Sequence, residues 1–296
     1  MPNAYLDSYR VIGNREDLIN IITNISPEET VFMSRIGKKT AKNRLHEWTT
    51  EALQASNSAN AVIEGASAAF ASGDSTVRSR VNNVTQILRK PFSTSYTQEE
   101  IDVAGVSSEF DHQRELKTKE LARDMNSALI NQSSATGDST TARTMRGALD
   151  AISTNTATGN SLPLEQSTYN ALMQTIWQAG GRPNATYVHG FNKRTISSWT
   201  QPLNRNIDAS GKKLVVSVDT YDSDFGVQMI LLEREMPTSQ VMCLEEKYWN
   251  SCFLRPLLFE EMGKVGEQRR GTVVSELTLE FLAENSSGKI TGTATS

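Results

Sequence analysis

Gly37-Lys38-Lys39-Thr40 carries the closing letters of a phosphate-binding loop, in which backbone amides and a lysine cradle phosphate oxygens. The leading glycine of G-x-x-x-x-G-K-[ST] is missing, because position 32 is Phe, and no strand leads into the segment. The residues therefore predict a helix stop followed by a solvated basic strand. His46-Glu47 begins as a zinc-protease motif does, but position 50 is Thr where H-E-x-x-H needs its second histidine. Trp48 is expected to pack a hairpin stem instead. Asp219, Asp222 and Asp224 lie close together, yet a calcium loop needs alternating ligands and a closing Glu near its twelfth position. They read as hairpin-turn residues. Tyr187-Val-His189-Gly190-Phe191 sets a histidine at a strand-to-helix turn, with no nucleophile in a G-x-S-x-G context. Its expected role is capping or hydrogen bonding. No catalytic, cofactor-binding or metal site is expected, and no cofactor.

One basic cluster remains, Lys38, Lys39, Lys42 and Arg44. It reads either as a solvated arm or as a contact with nucleic acid or an acidic neighbour. The net charge of -4 and pI of about 5.6 argue against a chain that wraps nucleic acid by neutralising phosphates. With 296 residues, 38% of them hydrophobic, the chain can build one large domain or two intimate ones. Cys243 and Cys252 make no disulfide framework, and with three scattered histidines they offer few metal ligands. The opening residues lack a basic segment followed by an apolar run, and no window approaches the ~18 apolar residues of a membrane helix. A cytosol-like compartment is the expectation.

These side chains need elements to hold them. Leu18, Ile21, Ile22 and Ile25 form a helix-compatible stripe. A short helix should follow, with Ser26 as cap, Pro27 at its first position and Glu29 completing a capping box. Phe32 and Ile36 share one face of it at i,i+4, a small docking surface, and Gly37 should end it in a left-handed conformation. Residues 47 to 98 predict two extended ribbons joined by a turn-rich tip at 71–75. They hold too few large apolar residues to bury themselves, so they are expected to lie on a neighbour. The clearest helix covers 107–131, capped by Ser107 or Ser108. It carries an apolar stripe of Phe110, Leu121, Met125 and Leu129 and ion pairs Glu115–Lys119 and Glu120–Arg123. Residues 161 to 260 predict a compact α/β unit. A helix carries Tyr169, Leu172, Met173 and Ile176 and stops at Gly180-Gly181, and strands at 185–189, 214–218, 227–232 and 241–244 follow. A strand-rich tail covers 272–293.

The phrases SPEETVFMSRIGKKTAKNRLHEW, RVNNVTQILRKPFSTSYTQ, EFDHQRELKTKELARDMNSALI, YDSDFGVQMILLEREMP, FLRPLLFEEMGKVGEQRRG and SELTLEFLAENSSGKITG occur in this order. Together they resemble the major capsid proteins of tailed bacteriophages with the Hong Kong 97-type capsid fold, in particular the SU-ten-like branch. The resemblance implies an α+β fold with an N-terminal arm (1–46), an extended loop (47–98), a peripheral domain with a spine helix (99–160 and 263–296) and an axial domain (161–262). It implies self-assembly into pentamers and hexamers of an icosahedral head. That head would enclose double-stranded DNA without specific binding, with scaffold, portal and decoration proteins as further partners, no membrane, and assembly in the host cytoplasm. Relatives that crosslink their subunits use a Lys–Asn pair, and none can be aligned here. Candidate subunit-interface residues are Arg78, Arg80, Arg89 and Lys90 of the loop, Glu109, Asp111 and Glu115 of the spine helix, and Phe32 and Ile36 of the arm. Arg78 or Arg80 is expected to meet a spine carboxylate of a neighbour. The alternatives are an α/β hydrolase or nucleotide-binding enzyme, and a nucleic-acid-binding module using the basic arm.

Overall fold

The computed structural model describes residues 29–67, 75–101, 103, 105–199, 207–208, 213–214 and 219–295. The chain runs through α1 (Val31–Arg35), β1 (Gly37–Thr40), β2 (Leu45–Thr50), β3 (Ser79–Val84), β4 (Gln86–Ser95), α2 (Tyr96–Glu100), α3 (Glu109–Asn131) and α4 (Ala148–Ala151). It continues through β5 (Thr156–Thr158), α5 (Gln166–Gln178), β6 (Ala185–Val188), α6 (Gly190–Trp199), β7 (Ile207–Asp208), β8 (Lys213–Leu214) and β9 (Thr220–Ser223). The last strands are β10 (Gly226–Leu232), β11 (Gln240–Leu244), β12 (Trp249–Met262), β13 (Gln268–Phe281) and β14 (Gly288–Thr291).

Two sheets organise the chain. A four-stranded sheet in the order β1-β12-β13-β4 is built on the long β12–β13 hairpin, with β1 parallel to β12 and β4 antiparallel to β13. The spine helix α3 lies on β4 and β13. Its buried stripe is the expected one, Phe110, Leu121, Met125 and Leu129. Met125 and Leu129 share a core with Leu277, Leu279 and Phe281 of β13. The helix starts where Ser108 Oγ accepts from the Asp111 amide at 3.3 Å. Glu99 of α2 reinforces that start, accepting from Ser108 Oγ at 2.6 Å and the Phe110 amide at 3.1 Å. A carboxylate at a helix N-terminus also suits the helix dipole. Phe92, Phe110 and Phe259 close the outer end of this layer over Gly271, where a Cβ would come within 2.7 Å of the Phe259 ring.

The second sheet has six strands, β5-β14-β11-β6-β10-β9, mixed in direction. Helix α5 brings Tyr169, Leu172, Met173 and Ile176 onto it, against Val188, Val241 and Ile290. The helix stops at Gly180 as expected, and that residue takes the left-handed conformation, with φ of +91°.

Several expectations need correction. The first helix begins at Val31 after Thr30, which makes no side-chain cap. Glu29 lies outside it and pairs with Arg234 at 3.3 Å. The buried Glu233 carboxylate reaches this helix start from across the chain, accepting from the Phe32 amide at 2.9 Å. Ser26, Pro27 and the stripe from Leu18 to Ile25 lie outside the described residues, as do most of the tip and residues 215–218. Gly37 is extended strand rather than a left-handed stop. A Cβ there would lie 2.1 Å from Asn250 Oδ1, so close strand approach explains the glycine. Gln86–Ser95 is not loop ribbon but the edge strand beside β13. Residues 249–262 leave the α/β unit for the long hairpin, because their partner is β13. In exchange, β14 and β5 join the six-stranded sheet instead of returning to the peripheral one. The partner of β10 across the turn is β9, Thr220–Ser223. Glu120 takes Lys117 at 2.7 Å as its ion-pair partner, while Glu115–Lys119 forms at 3.2 Å as expected.

Candidate functional site

Strands β2 and β3 pair antiparallel from Leu45 opposite Val84 to Thr50 opposite Ser79. They make a ribbon whose root is held firmly. Trp48 packs edge-on against Phe281 at 5.0 Å. Asn83 donates to the carbonyls of Leu279 at 2.8 Å and Arg146 at 3.0 Å, and accepts from the Arg146 amide at 2.8 Å. Just past the root, Thr85 donates to Glu276, a buried carboxylate that also receives Arg143 and Arg255. Burial pushes the Glu276 carboxyl up, but the Thr85 hydroxyl and the two guanidinium groups outweigh it and hold the group below its ordinary value.

Beyond the ribbon the picture reverses. Residues 51–67 and 75–78 form no strand and are exposed throughout. Leu53, Val62, Ile63 and Val77 are 94%, 83%, 84% and 85% exposed. So many large apolar side chains held in water are uncommon on the surface of a lone soluble domain. The far end of the β12–β13 hairpin is similar, with Leu258, Met262 and Val265 exposed.

The candidate interface residues are scattered over these surfaces. Arg78 pairs with Glu51 at 3.1 Å and Arg80 with Glu47 at 3.6 Å, both across the ribbon. Lys90 reaches Asp124 of the spine helix at 2.7 Å within the same subunit, and Arg89 is exposed on β4. On the helix, Glu109 accepts from Gln113, Asp111 pairs with Arg114 at 3.2 Å, and Glu115 with Lys119. Within one subunit the loop arginines and the spine carboxylates are therefore not brought together. Phe32 and Ile36 are corrected as interface residues: both are buried in the subunit's own core, Phe32 edge-on to Tyr187 at 5.4 Å. Glu233 and Asn126 fasten their helix from beneath, Asn126 accepting from the Met33 amide at 2.9 Å and donating to Glu233 at 3.0 Å. Neither Glu233 nor Glu99 was singled out from the sequence. A Glu between Leu232 and Arg234 reads as a surface residue unless the distant amide it serves is known.

The positions that hinted at chemistry take structural places. Lys38 and Lys39 lie in β1, paired with β12 rather than at a helix start. His189 Nδ1 accepts from the Phe191 amide at 3.4 Å, a capping contact at the start of α6. Asp219 pairs with Lys193 at 3.0 Å. Cys243 and Cys252 are buried, and burial pushes each thiol up to about 12, so neither is a ready nucleophile. Among the described residues no helix is long and apolar enough to cross a membrane.

A spine helix over a long hairpin, a second sheet carrying α5 and a projecting ribbon make up the described chain. The model of the SU10 major capsid protein family matches residues 6–294. The chain belongs to the SU10 major capsid protein family. A curated relative is the major capsid protein of Escherichia phage Phieco32, 35% identical over 123 residues. Those residues are 42% of this chain and 34% of that protein, so the match spans about a third of the relative's length. Solved structures extend the likeness in fold. The capsid of a native GTA particle superposes with a TM-score of 0.65 at 10% identity, over 97% of each chain. A structure of Gordonia phage Cozz gives 0.64 at 12% identity, over 95% of this chain and 91% of that one. The SrpI encapsulin of Synechococcus elongatus gives 0.60 at 10% identity, over 96% and 93%. The fold of this SU10-family chain is the Hong Kong 97-type capsid fold.

Proposed function

We propose that this chain is the major subunit of an icosahedral phage head and that its mechanism is association rather than catalysis. The carrying observation is the segment 51–67 with 75–78, which holds Leu53, Val62, Ile63 and Val77 in water at the end of a well-anchored ribbon. One subunit engages several neighbours through the loop, the hairpin end and the axial unit. Weak contacts then reinforce one another through their number. The occupants of five-fold and six-fold positions are pentamers and hexamers of the same chain. The acidic balance suits a shell that holds double-stranded DNA without gripping it. Scaffold, portal and decoration proteins are the expected further partners, and the host cytoplasm is the expected place of assembly. Light scattering and negative-stain microscopy of the purified chain test the reading. Closed shells of many copies support it. A monodisperse small oligomer under all assembly conditions, with or without a scaffold, would overturn it.

A further inference from the structure

His46 stands on β2, and Cys252 and Glu280 stand on the two arms of the β12–β13 hairpin, far from it in the chain. One ring nitrogen of His46, the Cys252 Sγ and a Glu280 carboxylate oxygen all lie within 4.8 Å of one another. Register explains two of the three. Cys252 is opposite Thr278, and Glu280 is two residues further along β13, on the same face. The ribbon lays His46 over that face. Cys252 Sγ is already 3.5 Å from Glu280 Oε2. That matches the edge of about 3.5 Å expected between ligands of a tetrahedral zinc centre. His46 Nε2 is buried and has no hydrogen-bond partner among the described residues, and an orphaned buried imidazole nitrogen calls for an acceptor or a metal.

We propose that His46, Cys252 and Glu280 form a three-ligand site for a divalent cation of the zinc class, fastening the root of the extended loop to the long hairpin. One nitrogen, one sulfur and one oxygen donor suit a borderline-soft tetrahedral ion, whereas calcium and magnesium take oxygen ligands. Three protein ligands leave a fourth position for water. Binding replaces the Cys252–Glu280 contact with three metal bonds and sends the thiol proton to solvent. Lys39 is the built-in competitor. Its Nζ lies 3.0 Å from Glu280 Oε2, and at 47% exposure its side chain can turn to solvent when a cation takes the carboxylate. The site is independent of the assembly reading, since it lies within one subunit.

The test uses the full chain, stripped with a chelator and titrated with Co2+ alone. A thiolate-to-cobalt charge-transfer band should rise and saturate at one equivalent, and Zn2+ should displace it. Cys252→Ser should abolish the band while Cys243→Ser keeps it. His46→Asn should weaken binding by about tenfold or more. Lys39→Met should tighten it. A folded wild-type chain without the band, or a band that survives Cys252→Ser, overturns the proposal. If His46→Asn fails to fold, Lys39→Met decides: tighter binding supports the site, and unchanged or weaker binding counts against it.

Discussion

Two residues carry consequences that the chain's local pattern hides. Phe32 sits in a five-residue helix yet is buried against Tyr187, and its backbone amide is held by Glu233. Removing its ring leaves a cavity in the subunit core, so Phe32→Ala should cost about 3–5 kcal/mol of subunit stability in urea denaturation. An unchanged midpoint would return this residue to the docking role its sequence suggests. Glu276 is the second. Its folded carboxyl lies below the ordinary value of 4.5, with Thr85, Arg143 and Arg255 around it. A depressed carboxyl stabilises the fold fully above its unfolded value, and that contribution is lost as pH falls through the folded value. Stability should therefore drop below about pH 4.5, and Glu276→Gln should flatten that acid limb. Denaturation midpoints measured from neutral to acid pH for both chains check the sign. A Gln variant with the same acid limb would assign it to other carboxylates.

Among the elements, the extended loop bears most directly on assembly. Hydrogen exchange should find residues 51–67 and 75–78 unprotected in free subunits and protected in shells. Equal exchange in both states would remove the loop from the interface. Arg78 and Arg80 already hold Glu51 and Glu47 across the ribbon, at exposed sites where such pairs contribute roughly 0–1 kcal/mol. Reversing both to Glu should thus leave subunit melting nearly unchanged while blocking assembly, if they exchange partners for a neighbour's spine carboxylates. Complete shells from the reversed chain at physiological salt would confine them to steadying the ribbon. The helices were legible because their periods are local. The stripes of α3 and α5 lie where spacing put them, as do the Ser108 cap and the Gly180 stop. Strand membership was not. Leu254 to Met262 reads as ordinary strand for either sheet, and only its pairing with a partner about ten to twenty residues on assigns it to the long hairpin. The arm failed for the same reason: nothing near Phe32 announces a buried carboxylate 201 residues away.

At the scale of the whole molecule, the ends of the described chain are interlaced. Strand β1 pairs with β12, and the tail strand β14 sits between β5 and β11 in the six-stranded sheet. Thr156–Thr158 consequently has no strand partner until Lys289–Thr291 exists. This order has a kinetic meaning. Contacts so distant in sequence close slowly, because a large loop must be ordered before they repay it. During synthesis the loop segment emerges early, while the sheet that will support it waits for residues beyond 268. Ribosome-bound chains halted at residue 287 should remain open to protease throughout the six-stranded unit, and release of a chain carried on through β14 should close it. Resistance in the halted chain would show that β5 and β11 fold without their late neighbour. Until Gly288–Thr291 is made, the six-stranded unit lacks the strand that joins β5 to β11 and has no finished surface to offer another copy. Topology therefore acts as a clock, keeping half-made chains out of a growing shell.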